Sequence, residues 1–115
     1  MILAMHPSVP GRYVVGAILV SALFLLTSSA SAQSARARVG AMNDEAMDAY
    51  HQLDLDRAQT LLDQALGIAL REHVDGTELA RIHLSLGVIA VAGRSDRAAG
   101  VQSFMRALEA DPSIA

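Results

Sequence analysis

From Ala41 to the C-terminus, apolar residues return every three or four positions and not every second one, which predicts helices and argues against strands. Gly, Asp and Ser punctuate four such segments. The first is expected over about Met42 to Gln52, where Asn43, Asp44 and Glu45 put capping and acidic residues at the positive end of the helix dipole. Ala46, Met47, Ala49, Tyr50 and Leu53 supply its apolar surface. The second, about Leu55 to His73, follows Asp54 as N-cap and carries a broad stripe of Leu55, Ala58, Leu61, Leu62, Ala65, Leu66, Ala69 and Leu70. Arg71 and His73 suit its negative end. A turn at Asp75-Gly76-Thr77 places Gly76 where positive φ is needed and Thr77 as the cap of a third helix, about Glu78 to Ala92.

That third helix is apolar on two sides. Leu79, Ile82, Leu86 and Ile89 make one row and Leu84, Val88 and Val91 another, so it needs cover on both. Gly93-Arg94-Ser95-Asp96 breaks it and caps a fourth helix with a row of Ala98, Val101, Met105 and Leu108, and Phe104 beside it. Pro112 ends that helix by removing a donor and crowding the preceding turn.

The first third of the chain follows a different pattern. Arg12 precedes an apolar run, Tyr13 to Leu26, followed by the small polar stretch Thr27-Ser28-Ser29-Ala30-Ser31-Ala32. This is the order of a Sec signal peptide over residues 1–32, with Ala30 and Ala32 as the small-x-small pair and cleavage ahead of Gln33. Residues 33–40 are expected as a linker, and 41–115 as the folded domain. The apolar run, about 14 residues, falls short of the roughly 20 a helix needs to span the hydrocarbon core, so a membrane is met only transiently. Localisation is expected to be periplasmic or secreted.

Composition narrows the function classes. Every cation among the nine Lys and Arg positions is arginine, and all twelve acidic residues follow Asn43, so losing Arg12 with the leader leaves 8 − 12 = −4. A mildly acidic domain is poorly suited to phosphate backbones, and no nucleic-acid partner is expected. With no cysteine there is neither a disulfide framework nor a lipidated anchor, so helix packing must hold the domain together.

The chain also repeats itself. Ala58, Leu62, Ala65 and Leu66 of the second helix align with Gly100, Phe104, Ala107 and Leu108 of the fourth, an offset of 107 − 65 = 42. With Leu86-Gly87 as a large-then-small pair, Ala107 preceded by Phe104 and followed by Pro112, and Ala46 and Tyr50 in the first unit, the sequence resembles the tetratricopeptide repeat (TPR) family over about Gly40 to Ser113. Ala90 and Val91 replace the usual aromatic, Gly100 stands where alanine is usual, and one extra residue separates the third and fourth helices. The resemblance implies an all-α fold of two antiparallel helix pairs, about 42–75 and 77–113, stacked as a short TPR-like α-solenoid behind the signal-peptide helix. It further implies a concave face, built by the first helix of each unit, that receives a peptide or helix of a partner protein. Carried over, that face comprises Asn43, Met47, Tyr50, Arg81, Leu84, Val88 and Val91. Two readings of the Leu84, Val88 and Val91 row remain open, a groove for a partner and a plain core row. Stacked repeats normally finish with a polar-faced capping helix. None follows Pro112, so another copy, a partner or further sequence is expected to cover the last pair.

Little supports chemistry. His51 and His83 form no metal-binding array and are expected as polar surface histidines; His73 and His6 have no ligand-type neighbours at useful spacing. Ser85, Ser95 and Ser103 lack a nucleophile elbow. The acidic groups Asp44, Glu45, Asp48 and Asp54, Asp56, Asp63 lack the order of a calcium loop. No cofactor, metal or catalytic residue is expected, which leaves two functions. One is an exported interaction module. The other is a structural repeat segment of a larger envelope or secretion-assembly protein.

Overall fold

The computed structural model describes the backbone of residues 8–114 and the side chains of residues 30–114. All regular structure among these residues is helical: α1 (Ser8–His51), α2 (Leu55–Arg71), α3 (Thr77–Val88) with a π-helical continuation (Ile89–Gly93), α4 (Arg97–Ala110) and a final 3-10 turn (Pro112–Ile114). The chain divides into two units, Met1–Ser31 and Ala32–Ala115. In the first, the described backbone is the N-terminal part of α1; the start of the expected leader, residues 1–7, lies outside the described residues. No helix among the described residues is long and apolar enough to cross a membrane.

Within the second unit the helix starts and stops follow local chemistry. Asp54 caps α2 by accepting from the Arg57 N–H at 3.2 Å, and Asp96 caps α4 by accepting from the Ala99 N–H at 3.1 Å. The helix ends share a device: a residue in the left-handed region, Leu53 (φ 64°), His73 (φ 55°) or Ser95 (φ 57°), reverses the chain. The next N–H, that of Asp54 or Val74, then bonds back to Ala49 or Ala69. At the third end the loop is wider by one residue, the Asp96 N–H reaching the Ala90 carbonyl at 2.7 Å. There the last turn of the third helix widens into a π-helix over Ile89–Gly93.

Several expectations need correction. The segment 33–40 is no linker: it is helical, and its Ala35 and Val39 are buried in the core. Thr77 does not cap α3. Gly76, at φ 68°, holds the cap position, while Thr77 is already helical and donates its hydroxyl to Asp111 Oδ2 at 3.0 Å. Leu53 covers nothing and is 85% exposed, because the left-handed turn points it into solvent.

The helix directions follow from which residues meet. Arg57 pairs with Glu45 in α1, and Arg38 and Met42 share a groove with Gln64 and Thr60, so partner numbers rise in α1 as they fall in α2: an antiparallel pair. Likewise Thr77 meets Asp111, Gly87 meets Phe104 and Val91 meets Gly100, making α3 and α4 antiparallel. Between α1 and α3 the numbers rise together, Arg36 to Glu78 and Asn43 to Ser85, so these two lie parallel. Leu62, Ile82, Ile89 and Val39 are the largest fully buried side chains, and they place the core where α1, α2 and α3 converge. As its two apolar rows require, α3 lies between neighbours. Ile82, Ser85 and Ile89 face α1 and α2, while Gly87 and Val91 face α4.

Candidate functional site

The seven residues expected to line one concave face are placed unevenly. Asn43 is only 5% exposed, because its side-chain oxygen accepts from the Ser85 hydroxyl at 2.8 Å across the α1–α3 contact. Its amide oxygen is committed to a buried bond within the chain. Met47 and Tyr50 are half-buried, and the Tyr50 ring stacks edge-on against His51, with centroids 5.5 Å apart. Arg81 is exposed but holds Asp44 at 3.3 Å. Along α3, Val88 is half-buried, while Leu84 and Val91 remain 38% and 41% exposed. The row is thus neither closed core nor a groove shared with Asn43.

The larger apolar surface lies further along the chain. On α4 the buried residues are Gly100 and Ala107, whereas Val101, Met105 and Leu108 are 47%, 57% and 42% exposed. Helical geometry, about 100° per residue, puts Leu84 and Val88 on one flank of the α3–α4 contact. In an antiparallel pair residues offset in the same sense share a side, so Val101 and Leu108 flank the same edge. On the other flank His83 sits beside Arg106 and Glu109. Leu84, Val91, Val101 and Leu108 therefore form one exposed apolar row across both helices of the second pair, while Met105 opens with Gln102, Arg106 and Glu109 onto the outer side of α4. Periodicity had picked out every one of these residues. What it lacked was the direction of α4, because an amphipathic pattern does not reveal which apolar edge a neighbour will cover.

The two helices come close because two residues have no side chain. A Cβ on Gly87 would collide with the Phe104 ring, and one on Gly100 would collide with Val91 Cγ2. Gly100 and Val91 are thus two halves of one fit. His83, expected at the surface, is buried at this contact. Desolvation, and secondarily the Arg106 charge, hold its pKa below 6.5, with Glu109 opposing.

No family model, no curated protein and no solved structure matches the chain.

The remaining candidates are weaker. Ala30, Ala32 and Gln33, the expected cleavage residues, are exposed on α1, next to the boundary between the two units. The outer side of α1 and α2 carries an open groove of about 600 Å³ lined by apolar groups such as Met42 and Ile68 together with Arg38, Asp63, Gln64 and Arg71. Among the described residues no group of three or more His, Asp or Glu could hold a metal ion. His51 turns its Nδ1 to the Met47 carbonyl at 2.6 Å, which accounts for that ring within its own helix.

Proposed function

We propose that this chain is an exported helical-repeat module of the TPR type that binds a helix or peptide of a partner protein. Its binding face is the second helix pair, not the concave α1–α3 face. The exposed apolar row of Leu84, Val91, Val101 and Leu108 carries the reading. Half-exposed aliphatic side chains in a contiguous row gain about 25 cal/mol for each Å² a partner covers, and gain nothing in water. Two antiparallel helix pairs with parallel first helices support the repeat assignment, since that is the order in which such units stack. Export is supported by the leader pattern and by the place where the chain divides: every described residue from Ala30 to Ser34 is exposed, so cleavage ahead of Gln33 removes no described core residue.

The test is capture from envelope extracts by the wild-type chain and by Leu84→Asp and Val101→Asp variants, with helicity followed by circular dichroism. Variants that stay helical but lose a specific captured protein fit the proposal. Identical captured sets from all three would sink it. Export is checked separately, by the N-terminal residue of the protein recovered from the periplasm, expected to be Gln33. The second reading, a structural segment of a larger envelope or secretion-assembly protein, draws on the same row, which further helices of one polypeptide would then cover. It predicts that the chain alone aggregates.

A further inference from the structure

The groove on the first helix pair has a counterpart in the second. Thr60, Asp63, Gln64 and Gly67 line it along α2, and Gln102, Met105, Arg106 and Glu109, each 42 positions later, line a cleft on α4. The two differ at the last of these positions. Where α4 carries the carboxylate of Glu109, α2 has Gly67, and nothing lies within 4 Å of the place its Cβ would take. The cleft on α4 holds about 240 Å³ and the groove on α2 about 600 Å³.

Arginine flanks the open place from both helices. Arg71 lies one turn beyond Gly67 on α2, and Arg38 enters the groove from α1, level with Gln64 by the antiparallel register that pairs Arg57 with Glu45. Residues 33–115 hold twelve acids and eight arginines, and Arg36, Arg57, Arg81 and Arg94 each pair with a carboxylate elsewhere in the chain. Arg38 and Arg71 pair with none among the described residues, and residues 1–29 contain no acidic side chain to supply one. The one acid that lines the groove, Asp63, lies a turn before Gly67 and accepts from Gln59 Nε2 at 3.1 Å.

We infer that this groove binds an extended, acidic peptide segment of a partner protein. An acidic side chain of the segment sits over Gly67 between Arg38 and Arg71, where the guanidinium groups offer paired donors to a carboxylate. An aliphatic side chain two positions away, on the same side of the strand, covers Met42 and the edge of Ile68, which is half-buried in the first case and 7% exposed in the second. From Thr60 to Arg71 the groove runs about 16 Å at about 1.5 Å per helical residue, room for about five residues of strand. Being open along its length, it covers one side of a strand and does not enclose a ligand as a small-molecule pocket does. The site lies on the first helix pair and does not rest on the reading of the α3–α4 row.

The probes are two blocked pentapeptides, acetyl-Ala-Glu-Ala-Leu-Ala-amide and its reverse, acetyl-Ala-Leu-Ala-Glu-Ala-amide, titrated into the full chain and followed by the Nε–Hε NMR resonances of Arg38 and Arg71. One of the two orders is expected to bind saturably and to shift both arginines. Replacing its Glu by Gln should weaken binding about tenfold or more, and Arg38→Gln or Arg71→Gln in the protein should do the same. Gly67→Glu, which puts the chain's own carboxylate where Glu109 stands on α4, should abolish binding with the circular dichroism unchanged; should it fail to fold, the two arginine variants decide. Leu84→Asp and Arg97→Gln should bind as the wild type does, so that loss of the α3–α4 reading leaves this one standing. Equal affinity for the Glu and Gln peptides, wild-type affinity in a folded Gly67→Glu, or no saturable shift with either order at millimolar peptide would overturn the inference. Binding of 4-methylpentanoate as tight as that of the pentapeptide would assign the groove to small acids, and the peptide occupant would fall.

Discussion

Leu53 occupies a conformation that suits glycine: φ is 64°, and the side chain is almost wholly in solvent. An L-residue there costs about 1 kcal/mol relative to glycine, and no burial offsets it. Leu53→Gly is expected to raise stability by roughly 0.5–1 kcal/mol, read as a higher urea midpoint with unchanged slope. His83 behaves oppositely, because its cost depends on pH. Its folded-state pKa lies below 6.5, so the neutral ring stabilises the native state fully above that value. As pH falls below 6.5 the unfolded chain takes up the proton first and stability drops, until the folded form protonates too. Thermal scans from pH 8 to pH 5 should show this decline, and His83→Gln should flatten it. If the variant declines as steeply as the wild type, another group is responsible.

At the scale of elements, the glycines of α2 and α3 separate a packing role from mere presence. Gly87 has the Phe104 ring where its Cβ would go, while nothing stands within 4 Å of a Cβ on Gly67. Gly87→Ala should therefore cost about 1–3 kcal/mol by pushing α4 off α3, with part of the loss restored by Phe104→Leu. Gly67→Ala should add roughly 0.5–1 kcal/mol, since alanine loses less entropy in a helix. Denaturant melts of the two single variants check both signs. Glycine's helix-breaking reputation alone would predict the same sign for both. The α1–α3 contact has a comparable polar lock in Asn43 and Ser85. Their types mark them only as ordinary polar helix residues, and nothing in the local pattern says that they meet across 42 positions.

For the whole molecule, the boundary of the fold matters more than the boundary of the repeat. The repeat-like pattern begins near Gly40, yet Ala35 and Val39 are buried, and Arg36 reaches Glu78 at 2.6 Å. A chain starting at Gln33 keeps all three; one starting at Ala41 loses them. Losing the Val39 burial alone removes roughly 2 kcal/mol, which for a domain of this size lowers the melting temperature by about 8 °C or more. Calorimetry on the two truncations checks this, and equal melting temperatures would return 33–40 to the status of a linker.

Four helices, two of their N-caps and the turn glycine at 76 were legible in the residues alone, because capping and 3.6-residue periodicity are local and leave a local trace. The start of the fold was missed, since Ala35 and Val39 are too sparse to make a stripe by themselves. The site was half legible. All four residues of the exposed row could be named from their spacing, but which of them stay in water depends on which neighbour arrives. Gly87 and Gly100 let α4 lie against one edge of α3, leaving the other edge bare, while Ser85 draws Asn43 inward from the face where it was expected. Periodicity records that a side chain prefers cover; only the packed helices decide whether it is found within the chain.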